Sequence, residues 1–460
     1  MVAHHIPLTR RALLGLLAAG AAWSLAGCRM PANPLQAPPT PVPVHTTRVG
    51  LVIRSQLAAA GQQAVLAAYQ EAVDAVAAEG LTVDRQVDSI PLSSPNTPAN
   101  DVATAFVSAS ASGAPVPDLL IFGQTSSGGL TSYTLSQLAS ASLLLPIDAA
   151  FSRASAQDRQ DYFPNALDAC RVGGKLYGLP LVVDPALLLV DPRLLQGAGL
   201  ATPGDWDWSG LLNAGQRLTR APGQYAFAPE TFDFPEVFLW QHGAAVLSAD
   251  GTHSTLDDPG AIEAATFYGD LFTRYKVVAP PVANVGGWTG TPDHQLRYNT
   301  ARIAMVYTAG SEPDRPLEFS EPFHDQDKAT VLFLNSVLAM TARAADPAQT
   351  FPVMTALAME LQQRSYLPPR RSLLQTAQPV RELSGWLPSD LSQAEQTALT
   401  NALGYARASQ VSDPAISAPF YSKLQFPLQQ GTATAADACK AAADAINAVL
   451  EGGAGTPGPA

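Results

Sequence analysis

Charge is scarce in this chain, and positive charge is the scarcer kind. Only 14% of its 460 residues are charged, 39 acidic against 27 basic, for a formal net charge of −12. So acidic a balance argues against nucleic acid, whose phosphates need a basic footprint, and against electrostatic adhesion to anionic lipid. The common hydrolase signatures are missing too: there is no Gly-x-Ser-x-Gly elbow and no His-Glu-x-x-His pair. Of the seven histidines, His4, His5 and His45 precede the body, and His242, His253, His294 and His324 have no metal-ligand spacing. No metal and no cofactor are expected. Cysteine is nearly absent, at three residues, Cys28, Cys170 and Cys439. Cys170 and Cys439 are either a disulfide or two separately buried thiols, and spacing does not choose between them. No internal repeat is present.

What is present begins at the amino end. Thr9-Arg10-Arg11-Ala12-Leu13-Leu14 opens an apolar run that closes with Leu25-Ala26-Gly27-Cys28. A basic start, a short apolar core and small residues before a cysteine resemble a bacterial lipoprotein signal peptide. The run from Ala12 to Gly27 falls short of the ~20 residues a spanning helix needs. Residues 1–27 are therefore expected to be removed, leaving Cys28 as a lipidated amino terminus. The paired arginines also resemble a twin-arginine signal, which implies export after folding. A diacyl anchor suffices to hold a protein on a bilayer, at about 0.8 kcal/mol per buried methylene. Everything after Cys28 is thus expected outside the cytoplasm, tied to the membrane by lipid alone. Residues 28–45 hold Pro31, Pro34, Pro38, Pro39, Pro41 and Pro43 and read as a stiff, extended linker. Residues 451–460, rich in Gly and Pro, read as a disordered tail.

The body alternates strand and helix. Val49–Ile53 is a β-branched run, 57–79 is Ala-rich with helical spacing, and Thr82–Ile90 alternates. Residues 98–112 read as a helix, and Asp118–Phe122 reads as a buried strand. This order predicts a mainly parallel sheet covered by helices on both faces. Ligands of such sheets bind beyond the carboxyl ends of the strands, here at Gly123-Gln124-Thr125-Ser126-Ser127. Farther on, Asp258-Pro259 marks a helix start that runs to Tyr275, with a capping side chain and proline at the first position. Val331–Met340 reads as a long buried strand, and Ala433–Leu450 as the last helix.

The order of short segments adds a resemblance. Asp118–Phe122, Leu144-Leu145-Pro146-Ile147-Asp148, Gly174-Lys175-Leu176-Tyr177-Gly178-Leu179-Pro180 and Ala198-Gly199-Leu200 with Pro203 and Trp206 come first. His242-Gly243, Leu256-Asp257-Asp258-Pro259, Ala301-Arg302-Ile303-Ala304-Met305 and Leu367-Pro368-Pro369-Arg370-Arg371 follow. In this order they resemble the extracellular solute-binding proteins that feed carbohydrate ABC importers, over about residues 46–450. Two departures stand out. Val190-Asp191-Pro192 replaces the family's Tyr-Asn-Lys, and Met305 leads to Tyr307 and Ser311 rather than to a glycine and a sugar-stacking tryptophan. The resemblance implies an α/β, two-lobed, periplasmic-binding-protein-like (type II) fold with an interlobe cleft and lobes discontinuous in sequence. Lobe 1 would hold 46–183 with 335–371, and lobe 2 would hold 184–334 with 372–450. The crossings would fall near Val183-Asp184, Leu332–Ser336 and Pro369–Ser372. The implied partners are a small solute, a sugar in view of the family, the membrane permease subunits, and the bilayer through Cys28.

A sugar presents hydroxyls and a flat C–H face, so its site needs carboxylates, amides or guanidinium together with aromatic rings. The candidates are Gln124, Thr125 and Ser126 at the strand end, and Asp184 at the first crossing. Glu230 and Phe232 lie in a second-lobe loop, Trp288 in a glycine-rich loop, Tyr307 and Ser311 in place of the lost tryptophan, and Arg370 at the third crossing. Each also has a plain reading, as a turn, a solvated loop or an interlobe ion pair. Trp206, Tyr177 and Trp240 read as packing. Two other classes stay open beside a binder. A lipid-anchored glycoside hydrolase would use a carboxylate pair such as Asp184 and Glu230. A receptor or structural lipoprotein would use the same scaffold without transport.

Overall fold

Runs of apolar residues become strands here because both of their faces are covered. The structure, a computed structural model, describes residues 45–54, 59–92, 116–123, 128–229, 234–278, 302–308, 317–378 and 391–453, with Val102 and Thr104. The chain opens with β1 (Thr47–Arg54), α1 (Ala59–Ala78), β2 (Val83–Leu92), β3 (Leu119–Gly123) and α2 (Gly128–Ser140). The hairpin β4 (Arg171–Val172) and β5 (Lys175–Leu176) precedes β6 (Gly178–Pro185) and β7 (Leu187–Val190). Next come α3 (Trp208–Leu218), β8 (Gln224–Pro229), α4 (Phe234–Gln241), α5 (Pro259–Thr273), β9 (Arg302–Thr308) and β10 (Glu318–Ser320). The described chain closes with β11 (Thr330–Met340), α6 (Pro347–Gln363), α7 (Gln393–Tyr405), β12 (Ala406–Ala408) and α8 (Ala435–Gly453).

Two sheets result. The larger has the order β12-β11-β3-β1-β2, with β6 on the other side of β11. The smaller has the order β10-β7-β9-β8. Strands β1, β2 and β3 run parallel, whereas β11 runs antiparallel to β3 and to β6. Leu119, Leu120, Ile121 and Phe122 are all buried, as a strand covered on both faces requires. Each such side chain contributes about 1.5–3 kcal/mol of burial. One apolar core gathers around the larger sheet and takes in Leu187, Leu189, Ala228, Ile303 and Phe319 of the smaller one, and a second gathers around β8, α3, α4, α5 and α8. Cys170 lies in the first core and Cys439 in the second, both unpaired. Burial pushes the Cys170 thiol far up and the Cys439 thiol up to about 12, so neither is a ready nucleophile.

The most specific sequence segments turn out to brace one another. Gly173 and Gly174, at φ +54° and +77°, make the tight connection of the β4–β5 hairpin. The Asp148 carboxylate accepts the Leu176 N–H at 2.9 Å and the Arg171 guanidinium at 3.1 Å, fastening the hairpin from outside. At the departure Val190-Asp191-Pro192, the Asp191 carboxylate accepts the N–H groups of Arg193 and Leu194, and Pro192 opens the short helix 192–197.

Two expectations differ from the structure. Pro259 opens α5, but Asp258 makes no side-chain cap bond there. Helix α8 continues past Leu450 to Gly453, into the stretch read as tail. The segment after the crossing expected at Pro369–Ser372 still touches the first core. Arg370 and Arg371 are still bonded to Asp161 and Tyr162, and β12 still pairs with β11. The chain reaches the second core only at Val411. Helix α7, assigned with 372–450 to the second lobe, places Leu399, Ala402 and Leu403 in the first core, while its Glu395 accepts the Phe319 N–H of β10. An Ala-rich amphipathic helix shows in sequence that it packs, but not against which sheet.

In the second core, His242 stacks on Trp208 (centroids 5.5 Å apart), and Trp208 stacks on Phe267 (4.3 Å). The imidazole meets Asp325 at Nδ1 (2.6 Å) and Glu263 at Nε2 (3.1 Å). A carboxylate at each nitrogen favours the doubly protonated ring, with the Gln326 amide also 3.4 Å from Nδ1. Burial pulls its pKa down, but the bonds to Asp325 and Glu263 outweigh burial and raise it above 6.5. A raised histidine stabilises the fold fully below its unfolded value, and that contribution is lost as pH rises through the folded value. The urea midpoint is therefore expected to fall as pH climbs from about 6.5, and His242→Gln is expected to flatten that slope. Equal slopes in both proteins would contradict this.

Candidate functional site

The registers of the two sheets bring their strand ends together. Gly123, the last residue of β3, pairs with Ser336 of β11. Ala408, the last of β12, pairs with Leu332 of the same strand. β6 leaves the larger sheet at Asp184 and Pro185, opposite Phe333 and Leu332. One residue later β7 begins, and its Leu187 pairs with Thr308, the last residue of β9. Pro229, the last of β8, pairs with Tyr307. The carboxyl ends of β3, β8, β9 and β12 thus converge on the passage from β6 to β7. Ala186, between those strands, donates to Val331 O (2.8 Å) and accepts from Thr330 Oγ1 (2.7 Å), which binds two chain crossings side by side.

Glycine is required at one of these ends. Gly123 has φ +111°, and a Cβ there would overlap the Asn335 carbonyl oxygen. The close approach sets β3 against Asn335 and so against the crossing.

Asp184 is buried at this crossing, with 3% of its surface exposed. The Asn335 amide donates to its Oδ2, and among the described residues Oδ1 has no partner. Burial pushes the carboxyl up to about 7, while the Asn335 bond pulls the other way. Asn335 was not singled out from sequence, although the polar pair Asn335-Ser336 interrupting the apolar run of β11 is a visible signal. Glu236, in the first turn of α4, was also missed. It is fully buried and accepts from Ser409 Oγ (2.7 Å) and Gln410 N (2.6 Å), fastening α4 to the chain leaving β12.

Of the other candidates, Gln124, Thr125, Ser126, Glu230, Phe232, Trp288, Ser311 and the lipidation residue Cys28 lie outside the described residues; of the helix expected over 98–112 only Val102 and Thr104 are described, both helical. Gln124 directly follows β3 in sequence, and Glu230 directly follows β8. Tyr307 lies within β9, its backbone between Leu188 and Pro229. Arg370 is buried away from these strand ends, in a network of its own. It donates to Gln362 Oε1 (2.8 Å), to Tyr162 OH (3.1 Å) and to Asp161 (3.3 Å), with its guanidinium 4.1 Å above the Tyr162 ring. Trp240 is buried in the second core, Trp206 and Tyr177 are half-buried, and all three pack as expected. Chemically, the convergence offers a dry carboxyl–amide pair beside the ends of two sheets. Among the described residues no group of three or more His, Cys, Asp or Glu could hold a metal ion. No described helix is long and apolar enough to cross a membrane.

The bacterial extracellular solute-binding protein family matches residues 35–330. Solved structures share the fold. The cyclic α-maltosyl-1,6-maltose binding protein of Arthrobacter globiformis aligns with TM-score 0.66 at 18% identity, covering 89% of this chain and 100% of its own. The sugar-binding protein MalE of Xanthomonas citri gives 0.65 at 19% identity, covering 89% and 98%. An ABC substrate-binding protein of Listeria monocytogenes in complex with cycloalternan gives 0.62 at 19% identity, covering 88% and 100%. The two-lobed, type II arrangement expected from sequence is the fold these proteins share.

Proposed function

Since this chain belongs to the bacterial extracellular solute-binding proteins, we propose that it is the receptor of an ABC importer, that it holds a carbohydrate between its lobes without altering it, and that lipid on Cys28 ties it to the outer face of the membrane. The lobes close about the crossings at Asp184–Leu187, Leu332–Ser336 and Arg407–Val411, and the closed complex is handed to the permease subunits. Lobe 1 comprises 46–183 with 335–371, and lobe 2 comprises 184–334 with 411–450, with α7 and β12 at the junction.

One observation carries the reading: the strand ends of both sheets meet where the chain passes between them, the place at which α/β sheets take ligands. Of the sugar candidates, Gln124 and Glu230 directly follow β3 and β8 in sequence, and Asp184 and Tyr307 lie within β6 and β9. Acidic surface and low basic content agree with a neutral, hydroxyl-rich ligand rather than a phosphorylated one. The names of the proteins with the same fold point to glucose oligosaccharides as the first ligands to try.

The test is a thermal-shift and calorimetric panel of maltose, maltotriose, cyclic oligosaccharides and acarbose, with amino acids and polyamines as controls. A bound sugar at 100 times its Kd stabilises by about 2.7 kcal/mol, a readily visible shift. Trp288→Ala and Asp184→Ala are each expected to weaken the best sugar at least tenfold, about 1.4 kcal/mol. No shift with any sugar, a shift with an amino acid or polyamine instead, or turnover of a chromogenic glycoside would overturn the proposal.

A further inference from the structure

Four carboxyl-bearing residues are buried among the described residues: Asp118, Asp184, Asp191 and Glu236. Three are held by at least two donors each. Asp118 accepts the N–H groups of Arg48 (2.8 Å) and Ala345 (3.2 Å), Asp191 those of Arg193 and Leu194, and Glu236 the groups of Ser409 and Gln410. Asp184 differs. It has the Asn335 amide on one oxygen and no described partner on the other. It also differs in position, since it sits where the chain leaves one sheet for the other.

The strand opposite is built to reach it. In β11, Leu334 pairs with Val183 and Ser336 with Val182, so Asn335 is an extra residue in a bulge. A bulge re-aims the side chain it carries, and this one brings the amide onto Asp184. The described groups around the carboxyl are uncharged. Its own strand supplies Val183 and Pro185, β11 supplies Phe333 and Asn335, β3 ends at Gly123, β7 begins at Leu187, and the Leu367 carbonyl accepts the Val183 N–H. No described charge acts on Asp184.

We propose that Asp184 and Asn335 form a proton-operated latch on the hinge: protonated, the carboxyl stays dry and clasps the two crossing strands; ionised, it drives the lobes to the arrangement in which water or a ligand hydroxyl reaches Oδ1. The inference rests on the hinge motion proposed above. Its physical basis is that a buried carboxylate with a single hydrogen bond lacks the solvation its charge requires. A hydroxyl of bound sugar would supply the missing donor, so ligand and proton act on the same oxygen.

The sign follows from linkage. Burial pushes the carboxyl up to about 7 in the dry state, against an ordinary 3.8 when hydrated. Below about pH 4 both states are protonated, and the dry state keeps its full advantage. Between about pH 4 and 7 only the hydrated state ionises, so the ratio of open to dry molecules rises up to tenfold per pH unit. Above about pH 7 both are ionised, and the ratio levels off.

The experiment is small-angle scattering of the ligand-free protein across that range, with the infrared C=O band of the protonated carboxyl followed in parallel and assigned by difference from Asp184→Asn. The wild type is expected to expand as pH rises and to plateau near neutrality. Asp184→Asn, permanently neutral, is expected to stay compact throughout. Asn335→Leu removes the bond that lowers the pKa of the dry state, so its expansion is expected to continue to higher pH before levelling off, which provides a second reading if Asp184→Asn does not fold. Equal pH profiles in wild type and variants, or loss of the infrared band with no change in dimensions, would overturn the latch. Compaction by maltotriose at about pH 8 reports separately on the hinge and the sugar.

Discussion

Arg370→Met is expected to cost the fold about 3 kcal/mol, at the lower end of what removing one partner of a buried ion pair costs. Arg370 is 4% exposed and serves three groups at once. Its loss strips the buried Gln362 Oε1 of a donor, and an unsatisfied buried acceptor costs about 1–3 kcal/mol. It also removes the cation above the Tyr162 ring, a contact worth about 2 kcal/mol when dry. Asp161 softens the blow. It keeps the N–H and hydroxyl of Ser372 at 2.8 and 2.6 Å, bonds that together with Arg370 outweigh burial, which raises its pKa, and hold it below the usual carboxylate value. The Gln362 amide also keeps its bond to the Pro180 carbonyl at the start of β6. Urea unfolding followed by circular dichroism measures the effect. A cost below about 1 kcal/mol would mean that the network is not the tie between α6, β6 and residues 161–162 inferred here.

Gly123→Ala is the second large effect. Two costs add there. The backbone at φ +111° is nearly closed to any residue with a Cβ, which costs about 1–3 kcal/mol. The added Cβ also meets backbone rather than a yielding side chain, with the Ser336 Cα 2.9 Å away and the Asn335 carbonyl oxygen closer still. Overpacking of that kind costs a further 1–3 kcal/mol. We expect about 3 kcal/mol in urea unfolding, together with at least tenfold weaker sugar binding, because relief of the overlap moves Asn335 from Asp184. Gly80→Ala is the control. Gly80 has φ +91° but nothing within 4 Å of a Cβ, so it reports the backbone cost alone. Equal losses at Gly80 and Gly123 would remove the argument from close approach.

Much of the fold was legible because its signals are local. Leu119–Phe122 is apolar at every position, which only a strand covered on both faces tolerates, and it is one. Pro259 fits the first turn of a helix and opens α5. The Asp258 cap was not legible, since a capping residue type does not guarantee that its side chain turns back onto the helix. The site was half legible. Asp184 announced itself as a carboxylate before a proline at a chain crossing. Asn335 did not, because its importance comes from a bulge that aligns it with a residue 151 positions earlier. The contacts of the segment expected to make the third crossing were not legible for a similar reason. Pro368-Pro369-Arg370-Arg371 looks like a boundary, yet its arginines are bound inward to residues 160–162 and Gln362.

Periodicity and composition by themselves determined that this chain alternates strands and helices and that its surface is acidic, and the order of its short segments determined the family. These depend on each residue and its near neighbours in sequence. Only the tertiary structure decided that Cys170 and Cys439 lie in separate cores, that α7 touches both sheets, and that the dry carboxyl of Asp184 meets a single amide where the two sheets join. Those facts depend on which distant segments share a surface, and the free energy of that choice is spread over many weak contacts that no short stretch of sequence contains.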